Sequence, residues 1–111
     1  MVSEEVRKRF LRDPLSIRLG GLAADLARIA SFADDPADAR AVASLLEEGK
    51  YFAEWMAPEA PPETQAVLAD VQIALAVWER GWRKGAPIPT MRDEAQRRSD
   101  ELLSLAGLVE R

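Results

Sequence analysis

The chain predicts an all-α fold, an antiparallel up-down helical bundle of about four helices plus a short N-terminal helix. Three observations predict it. Apolar residues recur three and four positions apart through successive segments, the period of one helix face. Ala supplies 19 of the 111 residues, and Ala loses no side-chain entropy on entering a helix. β-branched residues are sparse, so no segment reads as a strand.

Residues 3–12 read as a short polar helix. Ser3 can cap it, and Glu4 and Glu5 lie at the positive end of its dipole. Val6, Phe10 and Leu11 make one narrow stripe. Asp13-Pro14 reads as a fresh start, with Asp as cap and Pro at the first helical position. From there Leu15, Leu19, Leu22, Leu26, Ile29 and Ala33 form a heptad seam, which predicts a helix over 14–33. Asp35-Pro36 repeats the start signal, with Asp38 placed to answer the cap. The face that follows is Val42, Leu45, Leu46, Gly49, Phe52, Ala53 and Met56, and it ends near Ala57 because Pro58, Pro61 and Pro62 cannot continue it.

The next helix is expected over 62–84, with Val67, Val71, Ala74, Leu75, Trp78 and Trp82 on one face. Gly85 is placed to end it, with Pro87 and Pro89 beyond. Thr90 opens the last helix, with Asp93 three residues on and a face of Met91, Ala95, Leu102, Leu105 and Ala106. Gly107 reads as its stop, and the tail is free to fray. The whole is one domain over 1–111, the polar helix occupying 1–12 and the bundle core 13–107.

Counting outward from a turn at Asp34-Asp35 puts Gly49 level with Gly20. Gly20, Gly21 and Gly49 are therefore expected to meet, although each Gly inside a helix costs ~1 kcal/mol relative to Ala. Close approach of two backbones is the plainer reason, and room for a ligand or a large side chain the sharper one. The same counting brings Trp78 near Val42 and Ala27, and Leu102 beside Val71, which makes Trp78 a core residue.

The chain has no Cys and no His. Disulfides, zinc-thiolate sites and iron–sulfur clusters are thereby excluded, and so are thiol nucleophiles and Ser-His or Cys-His pairs. No catalytic residue, cofactor or metal site is expected. No apolar run approaches the ~18 residues of a membrane span, and no membrane partner is expected. The start, Met1-Val2-Ser3-Glu4-Glu5, lacks a signal peptide's apolar region, which points to the cytoplasm. Arg outnumbers Lys by 12 to 3, and with the abundant Ala this suggests a GC-rich bacterial genome.

Glu47, Glu48 and Glu54 cluster with Lys50 around Gly49. Paired carboxylates can move protons or bind metal, but a solvated face with Lys50 paired to Glu54 one turn on explains the pattern as well. The segment 78–84 and Arg92, Arg97 and Arg98 suggest a basic patch, of which Arg80, Trp82, Arg83, Lys84 and Arg92 are the candidates. Cations in a last helical turn also serve the helix dipole without any ligand. The formal net charge of −4 and pI near 4.9 make nucleic acid an unlikely partner. Charge is segregated: residues 1–18 carry net +2, 19–79 net −8, 80–98 net +4 and 99–111 net −2. Such segregation suits contact with another copy or another protein.

One four-helix core does not use all the apolar residues. Phe52 with Trp55, or Ile73 with Val77, can form a second apolar stripe, and these four are the candidate interface. Either a homodimer covers it or the N-terminal helix folds back with Val6 and Phe10. The expected role is a non-enzymatic bundle acting through protein–protein association, as a homo-oligomer (dimer) or with another protein. The alternative is a small ligand or metal bound between the helices.

The runs Leu26-Ala-Arg-Ile-Ala-Ser-Phe32 and Ala41-Val-Ala-Ser-Leu-Leu-Glu-Glu-Gly-Lys-Tyr-Phe-Ala-Glu-Trp55 resemble a group of small uncharacterised all-helical proteins of cyanobacteria. The likeness spans about half the chain, up to Trp82, and rests on the Arg-Ile-x-Ser-Phe and Phe-x-Glu-Trp clusters. It implies a helical fold and a bacterial source, and no activity.

Overall fold

Among the described residues of the computed structural model five α-helices follow one another: α1 (Glu4–Arg12), α2 (Leu15–Phe32), α3 (Ala39–Met56), α4 (Pro62–Arg83) and α5 (Met91–Val109). The structure describes the backbone of residues 3–85 and 88–109, and side chains as far as Gly107. Met1, Val2, Pro87 and the end of the tail, on which some of the expectations fall, lie outside the described residues. No strand occurs among the described residues.

The helix ends follow local chemistry. Ser3 caps α1, its Oγ accepting from the Val6 N–H at 3.2 Å. Asp13 does not cap α2, as the sequence suggested. Its N–H closes α1 on the Phe10 carbonyl, and α2 starts from Pro14 with no side-chain cap. Asp35 does cap, accepting from the Ala37 N–H at 2.9 Å, but it heads a separate 3-10 turn, Pro36–Asp38. Asp38 does not return the bond with its side chain, because the Asp35 N–H that it would take is already given to the Phe32 carbonyl at 3.3 Å. A second 3-10 turn, Ala57–Glu59, leads into α4. Gly85 adopts φ +68°, a left-handed conformation that suits Gly, and α4 stops before it. Gly107 does not stop α5, which runs on to Val109.

Side-chain bonds fix the helix directions. Ser99 of α5 donates to the Ala23 carbonyl of α2, and Arg92 reaches Asp34 just beyond the other end of α2. Late residues of one thus meet early residues of the other, and the pair is antiparallel. Likewise the Trp82 indole N–H donates to the Ala39 carbonyl at 3.1 Å, and Lys50 meets Glu79, so α4 runs antiparallel to α3. α2 packs between α3 and α5, and α3 between α2 and α4. The long helices therefore stand in the order α4, α3, α2, α5. Their layer is curled, and the molecule is 19 Å through its thinnest direction, about two helix diameters of ~10 Å. α4 and α5 meet only sparsely, so the ring is open along that edge.

The apolar faces point inward as their spacing requires. Leu19, Leu22, Leu26 and Ile29 of α2 interlock with Val42, Leu46 and Met56 of α3, Val71, Leu75 and Trp78 of α4, and Met91, Ala95 and Leu102 of α5. The expected meeting of three glycines does not occur. A Cβ on Gly49 would meet Leu75 Cδ1 at 3.1 Å and Leu22 Cδ1 at 3.6 Å, whereas one on Gly20 or Gly21 meets nothing within 4 Å. Gly20 and Gly21 fall on a half-exposed part of α2 while Leu19 and Leu22 turn inward, and Gly49 lies against Leu22 and Leu75 instead.

Candidate functional site

The open edge between α4 and α5 is the most distinctive surface of the molecule. Inward, α4 uses Leu68, Val71, Leu75 and Trp78 to fill the core. Successive helical residues turn by ~100°, so a second stripe on the same helix faces out. That stripe holds Ile73 and Val77, which are 64% and 63% exposed. Beside it runs a groove whose wall includes Asp70, Ile73, Val77 and Trp78 from α4 and Glu94 and Arg98 from α5. Glu94 and Arg98 are bonded to each other at 3.1 Å, and Arg97 lies 3.7 Å from the same carboxylate. The α5 wall thus spends its acid on its own cations.

The alternative stripe, Phe52 with Trp55, is covered. Phe52 and Trp55 are half-buried on α3, and α1 lies over them. Phe10 stacks on Phe52 with ring centroids 4.1 Å apart and planes 10° apart, and its centroid is 6.0 Å from that of Trp55. Arg7 adds its guanidinium 6.0 Å from the Trp55 ring. The structure therefore separates the two pairs named from sequence. It places Phe52 and Trp55 beneath α1 and leaves Ile73 and Val77 in the open.

The basic candidates are dispersed into local pairs. Arg83 lies 3.5 Å from Glu79, and Arg92 bonds Asp34 at 2.9 Å. Trp82 packs its ring against the core and its indole N–H is taken by Ala39. Arg80 and Lys84 are exposed and have no ion-pair partner among the described residues. Lys50 does not pair with Glu54 as its helical spacing suggested; it crosses to Glu79 of α4 at 2.5 Å.

The interior also holds polar groups that sequence reasoning missed. Asp25 is 1% exposed. Its Oδ1 takes a long bond, 3.4 Å, from Arg28, and its Oδ2 has no donor. Burial pushes the Asp25 carboxyl up to about 8, the Glu48 carboxyl across the α2–α3 contact raises it by hydrogen bond and by charge, and Arg28 pulls the other way. Two turns back on the same helix, the Arg18 guanidinium is buried against Glu59, with Nε and Nη1 unpartnered. The only signal for either was the breadth of the α2 face, where Ala23 and Ala30 widen the leucine seam. No group of three or more His, Cys, Asp or Glu is placed to hold a metal ion among the described residues. No described helix is long and apolar enough to cross a membrane.

Neither a protein-family model, nor a curated protein, nor a solved structure matches this chain.

Proposed function

We propose that this protein is a non-enzymatic, cytoplasmic association module that binds protein through the outer face of α4. The observation that carries the reading is the exposed pair Ile73 and Val77 on the open α4–α5 edge. Each such side chain gains about 1.5–3 kcal/mol on full burial, and an apolar stripe rimmed by charge is the usual signature of an interface. The simplest partner is a second copy, since closed two-fold pairing is the commonest way for a chain to cover its own patch. The chain also carries no His or Cys with which to build the usual proton-transfer and nucleophile pairs.

The test is sedimentation of the intact chain over a range of concentrations, beside Ile73→Asp. Association of the intact chain that is abolished by Ile73→Asp supports the reading. A chain that associates equally well with Asp at 73 uses another surface, and the assignment of the α4 face falls.

A further inference from the structure

The outer face of α4 is symmetric about its own middle. Its exposed stripe holds Asp70, Ile73, Val77 and Arg80, with the small residues Ala69 and Ala76 beside them. Ile73 and Val77 stand two residues either side of Leu75. Asp70 and Arg80 stand five residues either side of the same point. Turning the helix end over end about Leu75 therefore lays apolar on apolar and acid on base in one operation. The two coincidences are independent, because the apolar pair does not determine where the charges sit.

We infer that two copies of this chain pack α4 against α4, antiparallel, about a two-fold axis at the level of Leu75. Ile73 of each copy then lies on Val77 of the other, and Asp70 of each pairs with Arg80 of the other. The inference rests on the association reading above and names its partner and register. In an antiparallel pair of helices the residues flanking the axis exchange places, which is the isologous contact that two-fold symmetry requires. A parallel pairing sets Asp70 against Asp70 and Arg80 against Arg80, and like charges placed opposite one another are unfavourable.

The rest of the surface agrees. Neither Asp70 nor Arg80 has an ion-pair partner among the described residues, whereas the neighbouring Glu79, Arg83, Glu94 and Arg98 are all paired within the chain. The face is neutral although the chain carries net −4. Ala69 and Ala76 let the two helix axes approach closely. A contact of one helix per copy is at the small end of stable interfaces, so the dimer dissociates on dilution.

Charge reversal tests the register. The variants are Asp70→Arg, Arg80→Asp and the double variant, all at exposed positions, with Asp70→Lys and Arg80→Glu as a second set. The measurement is sedimentation equilibrium at low salt. Each single reversal replaces two ion pairs per dimer by two like-charge contacts and weakens dimerisation about tenfold or more. The double variant restores the affinity of the unaltered chain, and an equimolar mixture of the two single variants forms heterodimers. High salt narrows these differences. If the unaltered chain dimerises and the reversals leave its affinity unchanged, the antiparallel register is overturned while association through α4 stands or falls on Ile73→Asp. If the double variant is no tighter than the singles, the pairing of Asp70 with Arg80 is likewise overturned. If the unaltered chain is a monomer at high micromolar concentration, both this inference and self-association fall.

Discussion

Asp25 and Glu48 set two carboxyls against each other across the α2–α3 contact, one of them fully buried. The consequence is a stability that depends on pH with the opposite sign from an ordinary ion pair. In the unfolded chain Asp25 loses its proton near 3.8, and in the folded chain it keeps one until about 8. Between those values the folded state binds the extra proton, so stability falls as pH rises, by at most about 1.4 kcal/mol per pH unit. The contribution is whole below the lower value and is lost as pH climbs through the upper one. Denaturant melts from mildly acid to mildly alkaline pH should show falling midpoints, and Asp25→Asn should flatten the profile and raise stability at the alkaline end. Parallel profiles for the two proteins would refute the proton retained on Asp25.

Gly49 and Gly20 should respond oppositely to a larger side chain. Leu75 and Leu22 already crowd the place where a Cβ on Gly49 would stand. Gly49→Leu should therefore cost about 1–3 kcal/mol by overpacking. Nothing lies within 4 Å of a Cβ on Gly20 or Gly21, and both sit inside α2. Gly20→Ala and Gly21→Ala should each stabilise by up to about 1 kcal/mol, the intrinsic difference in helix propensity. Urea midpoints with matched slopes decide it; destabilisation by Gly20→Ala would mean that its neighbours are closer than the structure has them.

Ser99 ties α5 to α2 through one short bond, its Oγ donating to the Ala23 carbonyl at 2.7 Å in the buried seam. Ser99→Ala removes the donor and should cost about 0.5–1.5 kcal/mol. Ser99→Thr keeps the hydroxyl but adds a methyl to a filled contact, and should also destabilise. If the Ala variant melts with the unaltered chain, water replaces the lost bond and the seam is looser than its burial suggests.

The inward faces were legible in the sequence because a helix that buries one stripe must repeat at its own period; Leu15 to Ala33 and Val42 to Met56 did so. Three features were not. Asp13-Pro14 carries a start signal, yet Asp13 ends α1, because the same residue can serve the helix before it or the one after, and only the path of the chain decides. The burial of Asp25 and Arg18 carries no sequence signal, because nothing local says that α2 is contacted by both α3 and α5. The open α4–α5 edge depends on how far the connection after Gly85 carries the chain, which residue types do not encode. Of the candidate interface, the cover over Phe52 and Trp55 follows from where α1 folds back, a contact between segments some forty residues apart.

Phe10 is the residue that decides what α3 shows to the solvent. It is the one buried side chain of α1, and it stacks on Phe52. Phe10→Ala should cost about 3 kcal/mol, and it should loosen α1 as a whole, since Phe10 is its one buried side chain and only Val6 and Leu11 add partly buried apolar surface. Removal of residues 1–12 goes further and uncovers Phe52 and Trp55 together, a second apolar patch on a different side from Ile73 and Val77. The two patches can be separated by working in an Ile73→Asp background. There the intact chain should sediment as a monomer, while the chain lacking 1–12 should associate again and brighten a dye that binds exposed apolar surface. Truncation that changes neither sedimentation nor dye binding would mean that Phe52 and Trp55 do not depend on α1 for their cover.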